Sequence, residues 1–257
     1  MNNKTNLAQF YTPDIVAKKV IQEITPLLAN DFIKVLELAA GEGHLIKAAM
    51  ASFQNAIVYA VDIDKDNVAT LDNSGLCKEI IHSDAMCDIS EMKGLLFDLA
   101  IGNPPFLSNI PLDDYKKRLL KNILGLENFN SGKVRAEYVF IAQYLSLLRP
   151  DGVLAIILPE TIISGLKSTA LRKALLNKFQ VLGVYEIASN EFKKTEAKTH
   201  LLLVKNSPPT NGRVRLKSLY DPSNFIEKAT FDLIDRMDYS FFKQNSISPE
   251  LSFKLGD

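Results

Sequence analysis

Short apolar runs alternate with segments of helical spacing along most of this chain, and that alternation predicts an α/β fold. Helical spacing at residues 134–148 precedes a turn and a fully apolar strand, and an antiparallel pair of strands follows the next helix. Parallel strands end at one edge of a sheet, so polar residues that follow them should share one ligand site. The runs that end in a glycine turn or a polar residue occupy residues 34–38, 57–62, 79–84 and 95–102.

The segment Asn103-Pro104-Pro105-Phe106, directly after the fourth run, carries the most informative chemistry. The Asn103 side-chain oxygen and the Pro104 carbonyl can each accept one hydrogen of an exocyclic amine, which turns the nitrogen lone pair out of conjugation. Because prolines fix φ, Pro104 and Pro105 hold both acceptors without an ordering cost. The Phe106 ring can lie against the flat face of a base. The structural alternative for Asn-Pro is an ordinary strand end that opens a turn.

A glycine turn, Gly41-Glu42-Gly43, joins the first strand to the next helical segment, and Glu37 stands near the end of that strand. The glycines permit a tight reversal and let the backbone approach a ligand. The third glycine of the dinucleotide fingerprint is missing, so the turn does not indicate a pyrophosphate site. An acidic residue at this strand end suits a cationic, amine-bearing ligand instead.

Two more strands end in a carboxylate. Asp62 follows the glycine turn at the spacing of an acid that binds ribose hydroxyls in a nucleoside-binding βαβ unit. Asp64 or Asp66 is expected to cap the next helix. Asp84 can accept a hydrogen bond from an adenine amino group while the Ala85 N–H serves a ring nitrogen. The four strand ends therefore favour a nucleoside beside a polarised amine.

The chain resembles the S-adenosylmethionine-dependent amino-methyltransferases in a series of four motifs. In order along the chain, these motifs are the turn at residues 37–43, Asp62, Asp84 and residues 103–106. The segment Gln9-Phe10-Tyr11-Thr12-Pro13 is similar to the motif that opens the gamma-class N6-adenine DNA methyltransferases of restriction–modification systems. The resemblance implies a Rossmann-like class I methyltransferase fold, with a mainly parallel seven-stranded sheet of order 3-2-1-4-5-7-6 flanked by helices. It also implies S-adenosyl-L-methionine as the cofactor.

Carried over residue by residue, the resemblance divides the site into a cofactor half and a target half. Phe192 stands where the family often has a second aromatic against the flipped base, although a loop phenylalanine can also be a hydrophobic plug. Ala40 departs from the cysteine that is more usual in the family. The resemblance implies cofactor contacts from Tyr11, Thr12, Pro13, Glu37, Ala39, Gly41, Asp62, Ile63, Asp84, Ala85 and Asn103, catalysis by Asn103, Pro104, Pro105 and Phe106, and stacking of the target base on Phe106 and Phe192.

Composition is consistent with one sizeable globular domain of 257 residues. Cys77 and Cys87 have neither metal-ligand spacing nor a disulfide pattern, so we expect free thiols, a cytoplasmic protein and no metal. No apolar stretch approaches a membrane span. Thirty basic and 30 acidic residues give a formal net charge of zero, which leaves DNA contacts to local patches such as residues 115–118 and Lys121. A solvated helix face explains that patch equally well.

The composition changes at residues 206–212, which read as a linker. We expect residues 1–206 to form the catalytic domain, and residues 207–257 to form a linker and a short C-terminal segment that includes a helix at 225–237. That segment would begin, or join, a missing target-recognition module. The expected partners are DNA and a separate or missing recognition domain or subunit.

The sequence as a whole predicts transfer of a methyl group from S-adenosylmethionine to N6 of a flipped adenine in DNA, in a restriction–modification or phage-defence system. Asn-Pro-Pro-aromatic strand ends also resemble enzymes that methylate a glutamine amide of a release factor or an amine of structured RNA. Only about 30 residues precede the first strand, which argues against the helical substrate domain of the protein-methylating enzymes. A non-catalytic cofactor-binding subunit of a modification complex is the remaining alternative.

Overall fold

The computed structural model describes residues 11–28, 32–129, 131–188, 198–210 and 212–246. Strands and helices alternate through the first two thirds of the chain, as the hydrophobic pattern predicts. The elements are α1 (Asp14–Ile24), β1 (Phe32–Leu38), α2 (His44–Ser52), β2 (Asn55–Asp62), α3 (Lys65–Ser74), β3 (Glu79–His82), β4 (Phe97–Gly102), β5 (Ile110–Pro111), α4 (Asp114–Leu124), β6 (Lys133–Val134), α5 (Ala136–Leu147), β7 (Leu148–Pro159), α6 (Glu160–Ile163), α7 (Thr169–Lys178), β8 (Gln180–Ile187), β9 (Thr199–Lys205), β10 (Arg213–Ser218), β11 (Phe225–Ala229) and α8 (Tyr239–Ser246).

Within these residues, nine strands form one mixed sheet in the order β11-β10-β8-β9-β7-β4-β1-β2-β3. β3, β2, β1, β4 and β7 are parallel neighbours, whereas β9 runs antiparallel to both β7 and β8. The Rossmann-like class is therefore confirmed, and seven of the strands follow the expected order. The expected strand number was wrong, because β10 and β11 extend the sheet beyond β8.

The predicted helix at 225–237 is also wrong. Residues Phe225–Ala229 form β11, which pairs antiparallel with β10, and a short 3₁₀ turn follows at Thr230–Leu233. One edge of β10 pairs with β8, which leaves the other edge of β10 open to a partner strand. Pairing with that edge overrides the local helical spacing of the segment.

Helices cover both faces of the sheet. α1, α2 and α3 bury their apolar residues in one cluster, with Val35 and Val58 of the sheet between them. α4, α5 and α7 pack on the opposite face, around Leu36 and Leu154. Residues that alternate along one strand thus enter different cores, as expected of a strand buried on both faces. No helix in the described part of the chain is long and apolar enough to cross a membrane.

β1 and β4 lie where the strand order reverses, which is where open α/β sheets bind ligands. Their pairing ends at Glu37 and Ile101. At that point the fully buried hydroxyl of Tyr144 from α5 lies 2.9 Å from the carbonyl oxygens of both Leu38 and Ile101, and it accepts the Leu38 N–H at 2.8 Å. The hydroxyl therefore links the ends of the two strands that border the crevice.

Residues 213–246 are attached to the rest of the fold by buried polar contacts. Lys217 on β10 contacts both carboxylate oxygens of Glu23 on α1 at 2.8 Å. Glu186 at the end of β8 accepts the backbone N–H of Ser240 at the start of α8 at 2.7 Å. Arg172 on α7 donates to the carbonyl oxygens of Ile162, Gly165, Ile234 and Asp235 and to the hydroxyl of Thr169, at 2.5–3.1 Å.

We expect Arg172→Ala to lower the free energy of unfolding by about 3 kcal/mol or more, because four carbonyl oxygens lose a buried charged donor. Urea unfolding followed by circular dichroism measures the loss. Lys173→Ala removes an exposed cation from the same helix and is the matched control. Equal stabilities for the two variants would contradict a structural role of Arg172.

Candidate active site

One cavity opens at the carboxyl edge of the parallel strands, between the ends of β1, β2, β3 and β4. Each of these strands contributes a polar residue to its wall, so the strand ends that the sequence singles out are brought together. The lining residues are Tyr11, Thr12, Glu37, Ala39, Ala40, Gly41, His44, Leu45, Asp62, Ile63, Asn67, Ser83, Asp84, Ala85, Met86, Asn103, Pro105, Leu107 and Phe140.

The turn after β1 has the shape that its glycines allow. Ala39, Gly41 and Gly43 all have positive φ, of 58°, 57° and 75°. The ring of Tyr11 covers the turn so closely that a Cβ atom at Gly41 would lie 3.1 Å from two ring carbons. Pro13 is the N-cap of α1 and does not belong to the cavity lining. The backbone of the turn therefore forms part of the cavity wall, and the Tyr11 ring packs over Gly41.

Glu37 is a buried carboxylate of the site, with 3% of the residue exposed. Its Oε2 atom has no hydrogen-bond partner among the described residues. Burial raises its pKa well above the usual range, and the nearby Asp62 carboxylate raises it further, whereas a hydrogen bond with the backbone of Ile46 acts in the opposite direction. A cation placed in the cavity would favour the ionised form.

Asp62, the last residue of β2, is held by three donors. Gly41 N–H donates to Oδ2 at 2.7 Å. Asp64 N–H and Asn67 Nδ2 donate to Oδ1 at 2.8 and 3.2 Å. Asp64 in turn caps α3 by accepting the Asp66 N–H at 2.9 Å, as the sequence predicts. The carboxylate is therefore fixed at the cavity wall before any ligand arrives.

Asp84 and Ala85 line the cavity beyond the end of β3. Asp84 Oδ1 accepts the Met86 N–H at 2.9 Å, which turns the chain after the strand. The neighbouring Ser83 N–H donates to the Asp62 carbonyl at 3.0 Å and ties this turn to β2. Ile63 lines the cavity between the two carboxylates and is half exposed.

Asn103 enters the cavity directly after β4. Its Nδ2 atom donates to the hydroxyl of the buried Thr12 at 3.2 Å, so the carboxamide oxygen points away from Thr12. Pro105 also lines the cavity, whereas Pro104 is buried beside it and the partly exposed Phe106 lies outside the lining. Phe192, the other predicted stacking residue, lies outside the described residues.

Several lining residues carry no sequence signal that separates them from ordinary helix and turn positions. His44, the first residue of α2, is one, and its Nδ1 atom lies 2.6 Å from Asp14 Oδ1 on α1. Phe140 comes from α5, where ten of the twelve residues are buried, so no periodicity marks the cavity side. The other lining residues that were not predicted lie within or a few residues from a predicted motif, and they are Ala40, Leu45, Asn67, Ser83, Met86 and Leu107.

The basic segment at residues 115–121 forms ion pairs within its own neighbourhood. Lys116 is 6% exposed and its ammonium contacts Asp113. Lys117 and Lys121 pair with Asp114 and Glu127 at 3.5 and 3.3 Å. These pairs match the solvated-face alternative better than a free phosphate-binding patch.

A family model described as N-6 DNA Methylase matches residues 1–232, which is most of the chain. The chain belongs to the N-6 DNA methylase family. This membership and the class I methyltransferase fold imply S-adenosylmethionine as the methyl donor. In the described part of the chain, no group of three or more His, Cys, Asp or Glu residues is arranged to hold a metal ion.

Individual relatives agree with the family assignment. The chain is 26% identical over 212 residues to the modification methylase CviBIII of Paramecium bursaria Chlorella virus NC1A, which covers 80% of this chain and 52% of the viral protein. The type I restriction-modification system methyltransferase subunit of Streptococcus thermophilus has a similar fold, with a TM-score of 0.71 and 21% identity over 93% of this chain and 53% of that one. The chain spans about half the length of these two proteins.

A putative class I S-adenosylmethionine-dependent methyltransferase from Listeria monocytogenes also shares the fold. The TM-score is 0.64 at 18% identity, over 82% of this chain and 67% of that one. At this level of identity the likeness concerns the fold alone.

We expect S-adenosylmethionine to release a proton from Glu37 when it binds. Burial raises the pKa of this carboxyl well above its usual range in the free site, and the cationic cofactor would favour the carboxylate and lower that pKa. Affinity should therefore increase as the pH rises towards the free-state pKa and level off above it. Calorimetry in buffers of different ionisation enthalpy, between about pH 6 and 8, counts the protons.

Glu37→Gln should abolish this proton release, and Glu79→Gln, which alters an exposed carboxylate on β3, should preserve it. Binding without any proton release in the wild type would refute the prediction.

Proposed function

We propose that this chain transfers a methyl group from S-adenosylmethionine to the N6 amino group of an adenine in DNA. The observation that carries the proposal is that Asn103 and the three carboxylates Glu37, Asp62 and Asp84 line one cavity at the switch point of the sheet. A methyl donor held by the carboxylates would therefore lie beside the amide that polarises the acceptor. Such a chain would act in the cytoplasm, as we expect from its free cysteines.

In the proposed cofactor half, Tyr11 and Thr12 contact the methionine end and Glu37 faces its amino group. Asp62 binds the ribose, and Asp84 with the Ala85 N–H binds the adenine. The spacing of these residues along the sheet edge supports the assignment, since β1, β2 and β3 are consecutive neighbours. When bound, the sulfonium supplies an activated methyl group and a good leaving group.

In the target half, the Asn103 oxygen and the Pro104 carbonyl accept the two hydrogens of the amine. The Thr12 hydroxyl at 3.2 Å from Asn103 Nδ2 supports this role, because it orients the amide before the base enters. Buried Pro104 keeps its carbonyl rigid. Alignment and polarisation are then the main catalytic demands, and the transfer needs no covalent enzyme intermediate.

Phe106 lies outside the lining of the cofactor cavity, which is consistent with a stacking role in a separate pocket for the flipped base. Phe192 is proposed as the second stacking residue.

The side-chain amide of a protein glutamine or an exocyclic amine of a structured RNA would present similar N–H donors to the same acceptors. Incubation with labelled cofactor and DNA, RNA or release factor, followed by mass spectrometry of nucleosides and peptides, distinguishes these substrates.

Asn103→Ala should reduce methyl transfer by roughly a hundredfold or more, because one of two preorganised acceptors is lost. Cofactor affinity should change little, since the carboxylates remain. Single-turnover methylation and calorimetry measure the two effects separately. Wild-type methylation combined with weakened cofactor binding would contradict the proposed role.

We further propose that a partner subunit or an attached recognition domain selects the DNA sequence. Alone, the chain should bind duplex DNA only in the range of non-specific contacts, with a weak dependence on salt, because its net charge is zero. It should methylate single-stranded or mismatched adenine faster than paired adenine, since extruding a paired base costs a few kcal/mol. Gel shifts and methylation assays test this, and tight sequence-selective binding by residues 1–257 would refute it.

A further inference from the structure

Asn67 is a buried amide in the first turn of α3 that lines the cavity beside Asp62. Only 3% of the residue is exposed. Its Nδ2 atom donates to Asp62 Oδ1 at 3.2 Å, and its Oδ1 atom accepts the hydroxyl of Tyr11 at 3.3 Å. This amide has one preferred orientation, because a flip would set its oxygen against the Asp62 carboxylate, which can only accept.

Four residues close a ring of contacts at the edge of the cavity. Tyr11 bonds to Asn67, Asn67 bonds to Asp62, and Asp62 Oδ2 accepts the Gly41 N–H at 2.7 Å. The ring closes because the Tyr11 aromatic carbons lie over Gly41, so near that a Cβ there would be at 3.1 Å. These residues come from three parts of the chain, namely the N-terminal segment, the turn after β1 and the β2–α3 junction.

We propose that Asn67 is a positioning residue, which sets the Asp62 carboxylate for the cofactor's ribose hydroxyls and couples it to Tyr11. The inference rests on the proposed role of Asp62 in the cofactor site. Two backbone N–H groups, of Gly41 and Asp64, hold the two oxygens of Asp62, and Asn67 adds the side-chain donor to Oδ1, so Asn67 contributes to how the carboxylate is turned about its last bond. The Tyr11 hydroxyl fixes Asn67, and the cover over the glycine turn is thereby connected to the ribose-binding carboxylate.

Two substitutions at Asn67 separate positioning from packing. Asn67→Ala removes the donor and the acceptor, and it should weaken S-adenosylmethionine binding about tenfold. Asn67→Asp preserves the shape and the acceptor for Tyr11 but sets a carboxylate against Asp62, so it should weaken binding at least as much. Asn73→Ala, on the exposed side of the same helix, should bind like the wild type. A residue needed only for packing would lower the stability of the fold in Asn67→Ala without weakening cofactor binding, and that outcome would overturn the inference.

An analogue of S-adenosylmethionine without the two ribose hydroxyls tests whether the effect passes through Asp62. Calorimetry without DNA should give the wild type and Asn67→Ala nearly equal affinity for this analogue, because neither can use the carboxylate. Asn67→Ala should then differ from the wild type only towards the natural cofactor. Equal losses towards both ligands would overturn the inference and would indicate a general disturbance of the cavity.

Tyr11→Phe tests the coupling, since it removes the hydroxyl and leaves the ring over Gly41. It should weaken cofactor binding by about threefold. Combined with Asn67→Ala it should cost nothing further, because the hydroxyl acts through Asn67. Additive losses would overturn the coupling, and Tyr11→Phe keeps the test valid should Asn67→Ala fail to fold.

A wild-type chain that binds S-adenosylmethionine but methylates no DNA would refute the proposed function while leaving this inference intact.

Discussion

The hydroxyl of Tyr144 connects the two strands on which both halves of the site depend. It lies 2.9 Å from the carbonyl oxygens of Leu38 and Ile101, one residue beyond Glu37 and two residues before Asn103. The contact leaves no room at Gly102, where a Cβ atom would lie 2.1 Å from the hydroxyl oxygen. Burial raises the pKa of Tyr144 well above its usual range, so the group stays protonated and remains a donor. Direct pairing of β1 with β4 and the Tyr144 side chain from α5 therefore together fix the spacing between Glu37 and Asn103 in the cavity wall.

The charges of the cavity favour a cationic ligand. Glu37, Asp62 and Asp84 contribute carboxyl groups to the lining, and His44 already faces Asp14. Among the described residues, the Asp62 carboxylate is already hydrogen-bonded whereas Glu37 Oε2 has no partner, so the two acids suit different ligand groups. A preformed Asp62 gives a neutral hydroxyl an acceptor at little reorganisation cost, whereas Glu37 gains most from a charged partner.

The strands after residue 212 belong to the same folded unit as the methyltransferase sheet. β10 continues the sheet beside β8, and Lys217 contacts Glu23 on α1, the helix that begins two residues after Thr12. Arg172 attaches residues 234 and 235 to the loop after α6. Buried contacts of this kind hold only while both partners stay in place, so this segment also supports the elements around the cavity.

The sequence alone determined the α/β alternation and the residues at the strand ends, including Glu37, Asp62, Asp84 and Asn103. These are local features, because the hydrophobic pattern of a strand and the polar residue that follows it are adjacent in the sequence. Parallel strands then bring such residues to one edge of the sheet. The tertiary structure decided what depends on a distant partner. Residues 225–229 became a strand because β10 offers a free edge, against a spacing that fits a helix. Asn67 and Phe140 reach the cavity because helix packing turns those side chains towards it, and no local pattern specifies that direction.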